Sequence, residues 1–410
     1  MRISREGIQR ADPGTGRRED VAEILRRVRK EGDRAVIEYT QRFDKAELGP
    51  EDLRVDPREL EASIGVLEPA LLAALKTAVA NVHTVAQAQL RPPVPVDLPE
   101  GQRVEVAEVP VGRVGIYVPG GRAPYPSTVV MCAVTARVAG VSQIAVCAPP
   151  GPGGKAHPLI LATCVMCEVN EVYRMGGAQA IGALAYGTES VRTVDLVVGP
   201  GNRWVTEAKR QVAGTVGIDG LAGPSELIVI AGADADPELV ALDLLAQAEH
   251  GPDGLLALIA LDRGLLDQVV ASVERMAAER PTVTDAELHV HHVEEPHAAL
   301  RLAEGLAPEH LQLVGREAEA LADQVRAAGC VFVGAGAGTA FGDYVAGSNH
   351  VLPTGGAARF QSALSPATFR RRMARVSLPG EAPARLAPAG AALARAEGFS
   401  VHAESMERRA

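Results

Sequence analysis

The stretch GRVGIYVPGG at residues 112–121 decides the fold, because an apolar, β-branched run ends there abruptly in proline and glycine. A short apolar run with such boundaries predicts a buried strand, here Gly112–Val118. A stretch with apolar residues at helical spacing follows at Thr128–Val138, and the alternation then repeats. Strands and helices that alternate at this spacing predict parallel strands joined by right-handed crossovers. The sequence therefore predicts an α/β protein with a doubly wound sheet.

The same alternation continues towards the C terminus. It predicts strands at Gln143–Cys147, Glu171–Arg174 and Asp195–Val198, with helices at Pro158–Glu168, Ala178–Tyr186 and Trp204–Val212. It resumes with strands at Glu226–Ala231 and Leu255–Leu261 and helices at Pro237–Glu249 and Leu265–Ala278, which predicts a second α/β unit. The first hundred residues and the chain beyond Ser365 are predicted to be mainly helical. Within the latter, the run Arg370–Arg372 is expected on a solvated helix face.

Length, composition and charge indicate what class of protein this is. The chain has 410 residues, 47% of them hydrophobic, and a net charge of −10, which favours a globular protein without affinity for nucleic acid. The charged start at Met1–Glu6 is unlike a secretory signal, and no apolar run reaches the length of a membrane span, so we expect a cytoplasmic protein. Five cysteines in apolar stretches indicate reduced, buried thiols, and the Cys164–Cys167 pair is interpreted as core.

Three predicted strands end in glycine-rich loops. These loops are Tyr117-Val118-Pro119-Gly120-Gly121, Met175-Gly176-Gly177-Ala178-Gln179 and Gly199-Pro200-Gly201-Asn202. Each could be a plain turn, but the carboxyl ends of parallel strands share one sheet edge, where ligands bind. Together they favour a ligand cleft. The usual dinucleotide and P-loop fingerprints are missing, and we interpret Gly334–Thr339, after the predicted strand Cys330–Val333, as a flexible loop with no helix after it.

Several side chains could carry chemistry. Gln247 and His250 lie three residues apart near the end of a predicted helix, where they share a face and could bind one cation. Alternatively, His250 is there only because imidazole is favoured at the negative end of a helix. The dipeptide Glu309-His310 follows a proline and places a carboxylate beside an imidazole, a pairing that suits general acid-base catalysis. Asp343 is a candidate hard metal ligand.

Two further segments contain histidines that could have a function. His289, His291 and His292 lie in a polar stretch without accompanying glycine loops, which favours a surface strand over a metal site. Glu397 and His402 fall in the C-terminal segment, which is too short to bury a core alone and must pack on something larger. A histidine there has functional interest if the segment docks on a neighbouring subunit.

Seven ordered motifs make the sequence resemble the histidinol dehydrogenase family from about Ile37 to His402. These are the first and third glycine loops, Gly176–Ile181, Ala222-Gly223-Pro224-Ser225-Glu226, Gln247-Ala248-Glu249-His250-Gly251-Pro252, Ala307-Pro308-Glu309-His310-Leu311 and Asn349-His350-Val351-Leu352-Pro353-Thr354. The resemblance implies a four-electron oxidation of L-histidinol, through the aldehyde, to L-histidine with two NAD+ used in succession.

The resemblance also implies roles for individual residues. His310 would be the general base, also in contact with substrate, and Glu309 would activate water for the second oxidation. The NAD site would be lined by Tyr117, Gln179 and Asn202. One Zn2+ per subunit would position the substrate, and its ligands would be Gln247, His250, Asp343 and His402, which would also contact substrate together with Ser225 and Glu397.

The resemblance further implies a homodimer in which His402 reaches the partner's site. We expect an N-terminal segment at 1–20, a substrate and zinc domain at 21–116 and 230–364, an NAD domain at 117–229 and a helical tail at 365–410. Both α/β domains are expected to be doubly wound and incompletely Rossmann-like. Two alternatives stay open: a zinc hydrolase, in which Glu309 activates water, and a non-catalytic descendant, although no proposed ligand is missing.

Overall fold

The computed structural model describes residues 1–8, 18–120, 123–283 and 285–410. Gly121 and residues 9–17 of the predicted N-terminal segment therefore lie outside the described residues. The strands are β1 (Arg2–Ser4), β2 (Val94–Asp97), β3 (Arg103–Pro110), β4 (Arg113–Tyr117), β5 (Gln143–Ala148), β6 (Val172–Arg174), β7 (Leu196–Val198), β8 (Gly217–Ile218), β9 (Glu226–Ala231), β10 (Leu255–Ala260), β11 (Glu287–His292), β12 (His310–Val314), β13 (Cys330–Val333) and β14 (Arg370–Ser377).

Helices surround these strands. They are α1 (Arg18–Glu31), α2 (Asp33–Asp44), α3 (Pro57–Ala62), α4 (Pro69–Ala88), α5 (Pro126–Val138), α6 (Pro158–Met166), α7 (Gly177–Tyr186), α8 (Arg203–Val212), α9 (Pro237–Ala248), α10 (Arg263–Ala278), α11 (Pro296–Leu306), α12 (Arg316–Glu319), α13 (Thr339–Tyr344), α14 (Ala382–Ala396) and α15 (Ser400–Glu407). Short 3-10 turns occur at Pro50–Asp52, Ser63–Val66, Ala322–Gln324, Ala357–Arg359 and Pro366–Phe369.

The smaller parallel sheet is built around β4, in the order β6-β5-β4-β7-β8. Successive β4 side chains face opposite sides of the sheet. Val114 and Ile116 join the core formed with α5 and α6, whereas Tyr117 joins the core formed with α1 and α7. Gly115 lies so close to α7 that an added Cβ would be 2.8 Å from Leu184. The predicted alternation of strands and helices is confirmed here.

The larger parallel sheet has the order β1-β11-β10-β9-β12-β13. Its central strand β9 is buried throughout, with Leu227 and Val229 facing α9 and α10, and Ile228 and Ile230 facing α11. In the smaller sheet the chain passes from the central strand β4 outward through β5 to β6, and then crosses to β7 and β8 on the other side of β4. In the larger sheet it passes from β9 through β10 to β11, and then crosses to β12 and β13. The predicted mixed α/β chain with parallel strands is confirmed.

The C-terminal segment differs from the helical prediction, because Arg370–Arg372 lie in strand β14. This strand pairs antiparallel with β3 from Arg370 opposite Pro110 to Ser377 opposite Arg103, and β2 completes the small sheet. Cross-strand ion pairs, such as Arg375 Nη1 to Glu105 Oε1 at 2.9 Å, accompany the pairing. The apparent helical spacing was misleading because pairing with a distant strand determined the local structure.

A second difference concerns the helices before β2. We expected residues 21–116 to group with 230–364, but α1 and α2 pack against α7, and α4 packs against α5, both on the smaller sheet. Strand β4 itself belongs to that sheet. The amphipathic pattern of α1 predicts a buried face, but it does not identify the surface that covers it.

A third difference follows β13. The glycine-rich stretch from Gly334 was expected to remain a loop, yet α13 begins at Thr339, which is buried. Helix α13 packs against α9. This short helix carries Asp343, and α9 carries Gln247, so these two candidate ligands lie on helices that are in contact.

The C-terminal helices α14 and α15 pack mainly against each other. Their shared core consists of Ala391, Ala394 and Ala403, with Met406 partly buried against it. Large apolar side chains on the same helices are exposed, including Leu393 at 69% and Val401 at 73%. This hairpin therefore has an apolar surface that the described residues of its own chain leave uncovered.

No single helix in the described ranges is both long and apolar enough to cross a membrane. The pair Pro57–Val66 and Pro69–Ala88 satisfies the length and composition together, but it bends by 112° at the break.

Candidate active site

The three glycine-rich strand exits meet in one cleft of about 1290 Å³. It lies at the carboxyl edge of the smaller sheet, where β4, β6 and β7 end. Tyr117, Gln179 and Asn202 all line it, so the residues predicted to form a nucleotide site are brought together. A cleft at this edge is the usual place for a ligand in a parallel α/β sheet.

Tyr117, Asn202 and Gln179 differ in their hydrogen bonds. The Tyr117 hydroxyl accepts a hydrogen bond from Gly177 N at 3.2 Å, and burial raises the pKa of that hydroxyl. The Asn202 amide oxygen caps α8 by accepting from Trp204 N at 3.0 Å. Gln179 is 1% exposed, and neither polar atom of its amide has a hydrogen-bond partner among the described residues. A buried amide without partners is unfavourable, which favours a ligand as its missing partner.

Glu309 and His310 are buried at the start of β12 in the larger sheet. The Glu309 Oε2 atom accepts from Ser225 Oγ at 2.6 Å and from Glu226 N at 2.8 Å. Gln247 Nε2 in turn donates to Ser225 Oγ at 2.6 Å. A chain of hydrogen bonds therefore links Gln247, Ser225 and the carboxylate of Glu309.

The environment of Glu309 suits a base. Burial raises the pKa of its carboxyl, although the neighbouring His310 and the bond from Ser225 oppose the shift. A carboxylate with a raised pKa accepts a proton more readily near neutral pH.

The geometry also fixes which nitrogen of His310 can act as a base. His310 Nδ1 lies 2.9 Å from the backbone oxygen of Glu226. A carbonyl oxygen can only accept, so Nδ1 carries the hydrogen and Nε2 keeps its lone pair in the neutral ring. His310 is therefore oriented as a base through Nε2.

The candidate cation ligands of one chain lie on or just after α9 and on α13. Gln247 is buried at the end of α9 and His250 is exposed just beyond it, while Asp343 lies on α13, which packs against α9. Burial lowers the pKa of His350, the nearby carboxylate of Asp343 opposes this, and His310 and His250 lower the pKa further. Asp343, His250 and His310 therefore all lie within electrostatic reach of His350.

The structure does not bring Glu397 and His402 to this place within one chain. Both are exposed on the tail, and the His402 ring contacts Phe399 at a centroid distance of 5.2 Å. Within the described ranges, no three His, Cys, Asp or Glu side chains form a group that could hold a metal ion. His289 and His291 lie on β11, in agreement with a strand, although His289 is buried and not on a surface.

Two site residues were missed by sequence reasoning. The Glu226 carboxylate accepts from Gly355 N at 3.0 Å and from Glu309 N at 3.2 Å, so it ties the strands of the site to the loop after His350. His350 was noted only as part of a motif, and its ring bonds the Asp343 backbone oxygen at 2.9 Å. The available signal was a glutamate that opens an otherwise apolar, buried strand.

Helix α8, which begins beside Asn202, also contacts loops of the larger sheet. Arg203 Nη2 pairs with Asp253 Oδ2 at 3.3 Å, close to His250 in sequence, and Thr206 Oγ1 donates to Ala222 O at 2.7 Å. The start of α8 therefore contacts the segment that precedes β9 and the segment that follows α9.

Comparisons with known proteins agree on one family. A family model described as histidinol dehydrogenase matches residues 9–410. The histidinol dehydrogenase of Synechococcus sp. is 45% identical over 403 residues, which covers 96% of this chain and 92% of that protein. That of Gluconobacter oxydans is 42% identical over 400 residues, covering 95% and 92%.

Solved structures show the same similarity. The crystal structure of histidinol dehydrogenase from Elizabethkingia anophelis superposes with a TM-score of 0.92 at 32% identity, covering 100% of this chain and 98% of that one. A putative aldehyde dehydrogenase from Burkholderia cenocepacia has a TM-score of 0.51 at 14% identity, over 90% and 89% of the two chains, and is similar in fold alone.

Proposed function

Because this chain belongs to the histidinol dehydrogenase family, we propose that it oxidises L-histidinol through the aldehyde to L-histidine, with two NAD+ used in succession. As a member of that family it is an oxidoreductase, so the alternatives of a hydrolase and a non-catalytic descendant are set aside. The observation that carries the proposal is the buried Glu309-His310 pair, in which each side chain is oriented by its own hydrogen bonds. A separate glycine-lined cleft lies at the carboxyl edge of the smaller sheet.

His310 acts as the base in the first oxidation. Its Nε2 accepts the hydroxyl proton of the substrate as the carbon loses hydride, while Nδ1–H stays bonded to the Glu226 backbone oxygen. That bond stabilises the imidazolium that forms, because the carbonyl dipole points towards the developing charge.

Glu309 acts in the second oxidation. Its carboxylate removes a proton from the water that attacks the aldehyde carbon, and burial supports this role by raising the pKa of the carboxyl. Ser225 and the Glu226 amide hold Oε2, which leaves Oε1 to orient the water. Ser225 also contacts the substrate in this proposal.

The cleft residues fit NAD+. Tyr117, Gln179 and Asn202 line it, and the unpartnered amide of Gln179 matches the hydrogen-bonding groups of a dinucleotide. NAD+ supplies the acceptor for hydride when it is bound. The chain's part is to orient the nicotinamide at the Asn202 end, next to the bridge between Arg203 and Asp253. We accordingly assign NAD binding mainly to residues 117–229, with earlier residues also lining the cleft.

The donor set beside the pair fits zinc. Gln247 donates through Nε2 to Ser225, which leaves its amide oxygen for a cation, and His250 and Asp343 add an imidazole and a carboxylate. Zinc bound there would supply a Lewis-acidic anchor that positions the substrate. Three ligands from one chain leave the set incomplete, and we assign the fourth to His402 of a second copy.

The exposed tail supports a homodimer. Leu393 and Val401 leave apolar area uncovered, while Glu397 and His402 project from the same helices without contact to the site of their own chain. Docking of α14 and α15 on a second copy would bury this surface and complete both sites. Glu397 then contacts the partner's substrate.

Substrate oxidation tests the proposal directly. The purified protein should form NADH with L-histidinol, but not with L-leucinol, which lacks the imidazole. Chelation should abolish the reaction, and added Zn2+ should restore it. Absence of NADH from the zinc-loaded protein with L-histidinol would contradict the proposal.

A further inference from the structure

One carboxylate in the nucleotide cleft has an oxygen without a hydrogen-bond partner among the described residues, and it has no part in the chemistry described above. Asp44 is the last residue of α2 and lines the cleft with Tyr117 and Gln179. Its Oδ2 atom is buried without a hydrogen-bond partner among the described residues. Burial raises the pKa of this carboxyl to about 6.

The surroundings of Asp44 offer little compensation for its negative charge. A negative charge at the C-terminal end of a helix faces the negative end of the helix dipole, so α2 gives Asp44 no compensation. The other carboxylate lining the cleft, Glu59, is engaged by Arg174 Nη2 at 2.5 Å. The cleft also holds one exposed ammonium group, that of Lys155, for which no bond to Asp44 is present. An occupant of the cleft that brings hydroxyl donors would satisfy Asp44.

Asp44 precedes a segment that flanks β6, which lies on the other side of β4 from β7 and its exit at Asn202. The chain that follows α2 runs along the outer edge of β6, where Val55 N donates to Val172 O at 2.9 Å and Arg174 N donates to Leu53 O at 2.8 Å. The opposite end of the cleft, at Asn202, adjoins the larger sheet. If the nicotinamide lies at the Asn202 end, the adenosine half of the dinucleotide lies beside Asp44.

We propose that Asp44 binds the 2′-hydroxyl of the adenosine ribose and thereby selects NAD+ over NADP+. A carboxylate accepts strong hydrogen bonds from a ribose diol, and it repels the 2′-phosphate that distinguishes NADP+. This inference rests on the proposed function, because the dinucleotide orientation follows from it.

Asp44→Asn in the full-length protein tests the inference, with Glu47→Gln as the matched control, since Glu47 is an exposed carboxylate of the same segment outside the cleft. Titration calorimetry gives Kd for NAD+ and NADP+, and steady-state kinetics give kcat/KM for each. Loss of a charge-assisted hydrogen bond should weaken NAD+ binding about 10-fold to 100-fold. The ratio of NADP+ to NAD+ use should rise by a similar factor, whereas kcat at saturating NAD+ should change little.

Thermal unfolding without nucleotide separates binding from folding. Asp44→Asn removes a partly buried charge that has no partner among the described residues, so its Tm should equal or exceed that of the wild type, and only the stabilisation by NAD+ should shrink. A lower Tm, unchanged NAD+ affinity, or equal use of NADP+ by the wild type would overturn the inference. NAD+ binding that depends on Asp44, without NADH formation from L-histidinol, would refute the proposed function while leaving this inference standing.

Discussion

Glu309→Gln should separate the two oxidations. The Glu309 Oε2 atom accepts bonds from Ser225 Oγ at 2.6 Å and Glu226 N at 2.8 Å, and an amide oxygen can accept both. The site should therefore keep its shape, while the glutamine cannot take a proton from water. His310, the base for the alcohol step, keeps its bond to the Glu226 carbonyl.

The expected size follows from the chemistry lost. A positioned general base contributes about 10²-fold to 10⁴-fold, which corresponds to roughly 3–5 kcal/mol in the barrier of the aldehyde step. The alcohol step should slow less than about 10-fold, because only its electrostatic surroundings change. The free energy of unfolding at neutral pH should not fall, since the variant removes a buried carboxylate whose pKa is raised by desolvation.

Single-turnover kinetics with L-histidinol and with L-histidinaldehyde measure the two steps separately. The variant should release about one NADH per histidinol and accumulate aldehyde, whereas the exposed control Glu279→Gln should behave as wild type. Equal slowing of both steps, or normal turnover of the aldehyde, would refute the role given to Glu309.

Three further predictions concern the base, the shared site and pH. His310→Asn should slow the alcohol step by about 10²-fold to 10⁴-fold in the NADH assay, and near-normal turnover would exclude a base role. Mixing inactive His310→Asn and His402→Asn chains should restore about a quarter of wild-type activity, because half of the random dimers contain one intact site, and no recovery would argue against a swapped tail. The raised pKa of Glu309 stabilises the fold below the unfolded pKa, and this contribution is lost as pH rises through the folded pKa. Denaturant titrations should therefore show Glu309→Gln gaining stability relative to wild type as pH rises, and a constant difference would contradict the burial argument.

Strands buried on both faces could be predicted well from the sequence. Residues Glu226–Ala231 form β9 with the predicted limits, because a short, β-branched apolar run that ends at a glycine favours a buried strand. The convergence of Tyr117, Gln179 and Asn202 was also predictable, since parallel strands bring their carboxyl ends to one edge.

Other features depended on distant partners that periodicity does not identify. Arg370–Arg372 pair with β3, far away in sequence, and so form a strand. The amphipathic helix α1 covers the smaller sheet and not the expected one. No sequence motif marks Asp44, because its candidate role depends on a buried oxygen without a hydrogen-bond partner among the described residues.

The NADH yield from limiting L-histidinol tests the central claim most directly. With excess NAD+ and zinc, the wild-type protein should release two NADH for each histidinol consumed and yield L-histidine as the product. No NADH, or a final yield of one NADH with aldehyde as the end product, would contradict the account.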